Sequence, residues 1–142
     1  MGAMPAPSHA FVLPIVVEPE DIDELDHVNN VVYLRWAQDA AIAHWDAVAA
    51  QDLRKRVHWV VTKHEIEYRQ PARFGDTVLV ATWIGAIRRT FCERFTETRR
   101  QSDGKVLAKT RSWWCLIDSA AGSPITISDE LEGFTAPEDA GT

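Results

Sequence analysis

With 142 residues, 46% of them hydrophobic and 25% charged, the chain suits one ordinary globular domain with a real core, and no second domain is implied. Its formal net charge of -6 argues against nucleic acid as a partner, because phosphate binding draws its affinity from clustered Lys and Arg; a phosphate-bearing small molecule needs only a local basic patch. No apolar run is long enough to cross a bilayer, MGAMPAPSHA lacks the pattern of a signal peptide, and Cys92 and Cys115 form neither a disulfide framework nor a paired zinc spacing, so a cytoplasmic protein without membrane contact is expected.

Residues 1–10 read as a disordered lead, 11–136 as a single domain and 137–142 as a flexible tail. Phe11 to Glu18 alternates loosely, and Pro14 breaks its ladder, which predicts an edge strand. The loop that follows places the carboxylates of Asp21 and Asp23, then His27, Asn29 and Asn30, within ten residues. A helix is predicted from about Asn30 to Ala50, with Leu34, Ala37, Ala41, Trp45 and Val48 as its apolar stripe and Asn30 on the same face. An asparagine before such a run is a good N-cap, and the open N–H groups of a first helical turn can hold a developing negative charge. A carboxylate and an imidazole beside that turn can act on a carbonyl that it polarises. The other reading of Asp23 is a loop aspartate bonding its own backbone in an Asx turn; His27 can equally be a hydrogen-bonded structural group.

From Val57 the period changes to two. Thr62, His64, Ile66 and Tyr68 alternate with Lys63, Glu65, Glu67 and Arg69, and Pro71 with Gly75 closes this strand. Further strands are predicted over Thr77 to Ile87, Phe91 to Arg100 and Lys105 to Asp118, with Asp103-Gly104 as the hairpin between the last two. In the last strand Val106, Ala108, Thr110, Ser112, Trp114 and Leu116 should face one way, and Leu107, Lys109, Arg111, Trp113 and Cys115 the other. Pro124 to Phe134 reads as a short capped tail, with Ser128 as N-cap. One strand, one long helix and four antiparallel strands make an α+β domain with the helix on one side of the sheet. Apolar groups on the opposite sheet face, Trp113 and Leu107 among them, point to a homodimer or higher oligomer.

The motif D-x-D-x-x-x-H-V-N-N-x-x-Y-x-x-W, present as Asp21, Asp23, His27, Val28, Asn29, Asn30, Tyr33 and Trp36, resembles that of the hotdog-fold thioesterases, in their 4-hydroxybenzoyl-CoA thioesterase-like branch. EYRQPARFGD (Glu67 to Asp76) and ITISDELEGF (Ile125 to Phe134) resemble family passages too, and the likeness spans about Val12 to Phe134. It implies a hotdog fold, one long helix wrapped by a curved, mainly antiparallel five-stranded sheet whose last four strands form a meander. It implies an acyl-CoA thioesterase with Asp23 as base or nucleophile, His27 orienting the water or the carboxylate, and the first helical N–H groups, near Asn29 and Asn30, on the thioester oxygen. The substrate implied is an acyl-CoA, with no cofactor, in a homodimer or homotetramer whose active site is shared between subunits, so that Thr62 to Glu67 would reach the partner's site.

Arg88 and Arg89 are candidates for the coenzyme A phosphates, or else an ordinary solvated turn. His44, His58 and His64 show no metal-ligand spacing, so no metal is expected, and Cys115 has no adjacent base to make it a nucleophile. Three positions depart from patterns among the relatives: Leu25 stands where plant-type acyl-ACP thioesterases have Asn, Gln38 where many relatives have Glu, and Asp26 where they have Gly. The competing functions are acyl-ACP hydrolysis, which would want a basic docking surface, and non-catalytic binding of acyl thioesters, which would not need Asp23.

Overall fold

The computed structural model describes residues 6–127. Strand β1 (Phe11–Val16) leads through a short 3-10 turn (Pro19–Asp21) and a loop into α1 (Asn30–Val48), then α2 (Gln51–Arg56), β2 (Val57–Tyr68), β3 (Thr77–Arg88), β4 (Phe91–Arg100) and β5 (Val106–Asp118). The strands form one sheet in the order β1-β3-β4-β5-β2, with every neighbouring pair antiparallel. The expected long helix over a five-stranded sheet is therefore present, and β1 is an edge strand that carries Pro14 opposite Leu79. The expected cap at Ser128 and the tail at 137–142 lie outside the described residues.

The four strands after the helix are not one meander. Only β3, β4 and β5 follow one another; β2 pairs with the far side of β5. The reason is that β3 has two edges, and the turn at Arg89-Thr90 gives one to β4 while β1 takes the other. The segment 69–76 must then carry the chain from one side of the sheet to the other. It is anchored on the way, since Arg69 N–H and Gln70 N–H donate to Leu107 O at 2.8 and 3.2 Å and Val28 N–H donates to Ala72 O at 3.0 Å.

The helix is rotated from its expected face. Val32, Tyr33, Trp36, Ala37, Ala40, Ala41 and Trp45 are buried, whereas Leu34 is only half-buried, and Val48 and Asn30 are exposed. Alanines at 37, 40, 41, 43 and 47 spread weak apolar character around the helix, so the large side chains of Tyr33 and Trp36 decide which side goes inward. Trp36 packs with Val17, Val28, Val78, Val80 and Leu107 in the main core. The helix stops at Ala49, where Ala49 and Ala50 are both extended, and α2 follows as a separate turn and a half that sequence periodicity does not predict.

Leu107 is likewise corrected: it lies in the main core, away from Lys109, Arg111 and Trp113. Pairing passes from Thr98 opposite Ala108 to Arg99 opposite Val106, so Leu107 is the extra residue of a bulge and escapes the alternation. Beyond the bulge the pattern holds, with Ala108, Thr110, Ser112, Trp114 and Leu116 buried toward the helix. On the outer face Trp113 is flanked by Lys63 Nζ, 5.0 Å from its ring centre, and Arg111 Cζ, 4.7 Å away.

Two polar contacts tie the helix to the rest. Asp21, 1% exposed, accepts from Arg35 Nη2 at 2.8 Å and from Glu18 N–H at 2.9 Å. His44 stacks on Phe11 and lies 3.1 Å from Arg94 Nη1; burial first, then the Arg94 and His9 charges, pull its imidazole down from 6.5 to about 4.

Arg35→Ala should cost about 2 kcal/mol, because it leaves the buried Asp21 carboxylate with one donor fewer, and adding Asp21→Asn should recover part of that loss. Urea unfolding of both variants checks this; equal stability of the single and double variants would remove charge from the explanation. His44 gives a pH dependence. Its folded form resists protonation until about pH 4 while the unfolded chain protonates near 6.5, so its contribution is complete above 6.5 and is lost as pH falls toward 4. Unfolding midpoints across that window should fall less steeply in His44→Gln than in the wild type.

Candidate active site

Asp21 and Asp23 shape the loop before α1 in different ways. Asp21 is structural: besides its carboxylate contacts, its backbone oxygen accepts from Asn29 N–H at 2.9 Å, which sets the residue that caps the helix. Asn29 Oδ1 then accepts from Val31 N–H at 3.1 Å, as an N-cap does. The Asn30 N–H has no hydrogen bond among the described residues, which leaves an open donor at the positive end of a 19-residue helix.

Asp23 does form the Asx turn. Its Oδ1 accepts from Leu25 N–H at 2.9 Å and from His27 N–H at 3.4 Å, while its own N–H donates to His27 O at 2.9 Å. These bonds close a tight loop in which Asp26 has φ 67, the left-handed conformation that glycine adopts most readily. The Asx turn uses one carboxylate oxygen only. Oδ2 has no partner among the described residues, so the turn orients the carboxylate without consuming it.

Asp23, His27, Asn29 and Asn30 come together on one cavity of about 380 Å³. Its far wall comes from the end of β2 and the segment after it: Tyr68, Arg69, Gln70 and Pro71. Tyr68 Oη donates to Asn30 O at 3.0 Å, so it braces the same helical turn from the sheet side, and its ring meets that of Tyr33 edge-on at 5.5 Å. Tyr33 Oη accepts from Ala72 N–H at 2.9 Å; burial raises its phenol above the usual range. Tyr68 and Gln70 were not among the expected site residues. Their place inside the EYRQPARFGD passage was the available signal, but only the path of β2 brings them to the helix start.

Arg88 and Arg89 are not brought to this cavity. β3 begins beside Asp76, near the loop, and ends at Arg88, roughly 35 Å of strand away. Arg89 occupies a left-handed turn position, φ 54, and its carbonyl accepts from Ile127 N–H. Thr62 lies on the exposed β2 edge and donates to Trp113 O at 3.2 Å. His58 and His64 meet Ser119 and Ser112. Gln38 lines a second, larger cavity of about 540 Å³ between the C-terminal half of α1, α2 and the first half of β2.

The profile of the thioesterase-like superfamily matches residues 17–134. Among solved structures, a 1,4-dihydroxy-2-naphthoyl-CoA thioesterase from Synechocystis superposes with a TM-score of 0.79 at 16% identity, covering 92% of this chain and 98% of that one. A thioesterase from Thermus thermophilus, solved with coenzyme A and zinc, superposes with a TM-score of 0.76 at 24% identity, covering 87% and 89% of the two chains. Among characterised sequences, a chloroplastic palmitoyl-acyl carrier protein thioesterase of Gossypium hirsutum is 25% identical over 84 residues; that stretch is 59% of this chain and 20% of the relative. The profile covers both the loop with Asp23 and the sheet around the helix, and the chain belongs to the thioesterase-like superfamily, built on the hotdog fold.

Proposed function

We propose that this protein is an acyl-CoA thioesterase in which Asp23 is the base or nucleophile. The observation that carries the reading is the pairing, on one cavity, of a carboxylate held by one oxygen with an open N–H at a helix start. A thioester needs little more. Its carbonyl is electrophilic and coenzyme A leaves readily as a thiolate, so an oxyanion donor and one positioned carboxylate are enough. With the carbonyl oxygen at the Asn30 N–H, Asp23 Oδ2 either takes a proton from water as that water attacks the carbonyl carbon, or attacks the carbon itself to form a mixed anhydride that water then cleaves. Either route consumes one water and yields the free acid and the thiol. His27 lines the same cavity and orients the water or the carboxylate.

The assembly proposed is a homodimer. β2 is a 12-residue strand whose second edge meets no other strand among the described residues, a long exposed edge of the kind that pairs with another chain. Val60, Thr62 and Tyr68 are exposed along it. Pairing of two β2 edges about a two-fold axis would bring residues of one β2 beside the other subunit's site, and Arg88 and Arg89, distant within one protomer, would reach coenzyme A only from the partner.

A second reading, acyl-ACP hydrolysis, is favoured by the names of the characterised relatives, which are acyl carrier protein thioesterases. A net charge of -6 weighs against docking an acidic carrier.

Thiol release from a panel of acyl-CoA esters should be readily measured with the wild type and should fall by about 10²–10⁴ in Asp23→Asn, at unchanged fold and mass. Turnover that survives this change would place the chemistry elsewhere, while turnover on acyl-ACP alone would favour the second reading. Light scattering should report twice the 16.0 kDa chain mass. Val60→Lys with Thr62→Lys, which lines the free edge with like charge, should return the monomer.

A further inference from the structure

The segment that walls the Asp23 cavity runs on into a tight turn that lies outside it. Arg69, Gln70 and Pro71 line the cavity, and Ala72, Arg73, Phe74 and Gly75 follow. The base of this turn is fixed to the core. Ala72 is fully buried; its N–H donates to Tyr33 Oη at 2.9 Å, and its O accepts from Val28 N–H at 3.0 Å. Pro71 O accepts from Arg100 Nη2 at 2.7 Å. The turn itself is closed by Asp76 N–H donating to Arg73 O at 3.0 Å and by Arg73 N–H donating to Asp76 Oδ2 at 3.0 Å. Gly75, at φ 91, takes the left-handed position that glycine fills without steric cost.

The two side chains before that glycine are left to solvent. Phe74 is 62% exposed and belongs to none of the core clusters. Arg73 is exposed and makes no ion pair among the described residues. Its basic neighbours, in contrast, are engaged: Arg69 with Glu67 at 3.2 Å, and Arg100 with Asp76 and Asp103 at 3.1 and 2.8 Å. An aromatic ring beside an unpaired guanidinium, on a turn held in one shape, matches a ligand that joins a flat base to a phosphate.

The spacing matches a ligand whose other end is in the cavity. Arg73 is two residues beyond Pro71, at most about 7 Å, and Phe74 is one further, at most about 11 Å. The pantetheine arm of coenzyme A is built of peptide-like units and has the length of about four extended residues, roughly 14 Å. A thioester held at the Asn30 N–H therefore puts the nucleotide within reach of Arg73 and Phe74 of the same chain. Arg88 ends the strand that starts beside this turn, roughly 35 Å away.

We propose that the turn 73–75 binds the nucleotide end of coenzyme A, with Arg73 on a phosphate and Phe74 stacked on the adenine. The inference rests on the thioesterase reading of the Asp23 cavity. It places recognition of the nucleotide within one protomer rather than at Arg88 and Arg89 of a second subunit.

The test compares two thioesters of one acid, octanoyl-CoA and S-octanoyl-N-acetylcysteamine; the second keeps the thioester and lacks the phosphates and the adenine. The wild type should prefer the coenzyme A ester in kcat/KM, and Arg73→Glu should cut that preference about tenfold or more, mainly through KM. Phe74→Ala should cut it about fivefold. Calorimetry gives a readout independent of turnover: free coenzyme A should bind more tightly than phosphopantetheine, and Phe74→Ala should remove most of the difference. An unaltered preference in both variants would overturn the inference and leave the hydrolase reading standing. So would equal losses on the two thioesters, which would make the turn a support of the cavity rather than a contact of the ligand. A preference lost in Arg88→Glu with Arg89→Glu and kept in Arg73→Glu would overturn it by moving the nucleotide to the second subunit. Phosphopantetheine bound as tightly as coenzyme A would overturn it in favour of a carrier-protein arm. No thiol release from either ester, with coenzyme A bound by the wild type and about tenfold less tightly by Arg73→Glu, would sink the hydrolase reading and keep the nucleotide site.

Discussion

The buried carboxylate of Asp21 is the contact on which the rest of the site depends. It is almost wholly removed from water, so it must be satisfied within the protein, and it takes its donors from both sides of the loop: Arg35 on the helix and Glu18 N–H on the strand side. Its backbone oxygen at the same time holds Asn29 N–H. Three parts of the chain are thereby fixed to one residue, and the helix can start only where Asn29 caps it. Asp23, two residues on, inherits a defined position and direction from that anchor. The two aspartates of the motif divide the work: one is buried and spent on structure, the other lines a cavity and is held through one oxygen.

The same economy shapes the turn between them and the helix. The Asx turn at Asp23 is a structural device, and it also fixes the carboxylate through one oxygen. Asp26 adopts a left-handed conformation to close it, which accounts for glycine being the residue expected there. Tyr68, from the opposite wall, braces Asn30 O, so the first helical turn is held from the loop side by Asp21 and from the sheet side by a phenol.

Because β2 runs along the helix from the far end of the sheet, two cavities share the α1 and β2 walls and differ in chemistry. The one at the helix start is lined by Asp23, His27, Asn29 and Asn30. The one farther along is aromatic, with Arg94 set into it.

Much of this was legible in the residues. The change of period at Val57, the turn at Asp103-Gly104, the edge character given by Pro14 and the cap at Asn29 follow from local chemistry, and each reappears in the structure within a residue or two. Asp23, His27, Asn29 and Asn30 are close in sequence, so a short loop was bound to gather them. What local chemistry could not decide was anything that depended on a distant partner. The inward face of α1 was settled by how Tyr33 and Trp36 fit the sheet, the place of Leu107 by a one-residue slip against β4, and the position of β2 by which strand edges were already taken. Arg94 reads in the sequence as one polar residue in an alternating strand; only packing puts it under the helix, because the face of a strand is set by register and register is set by its neighbours.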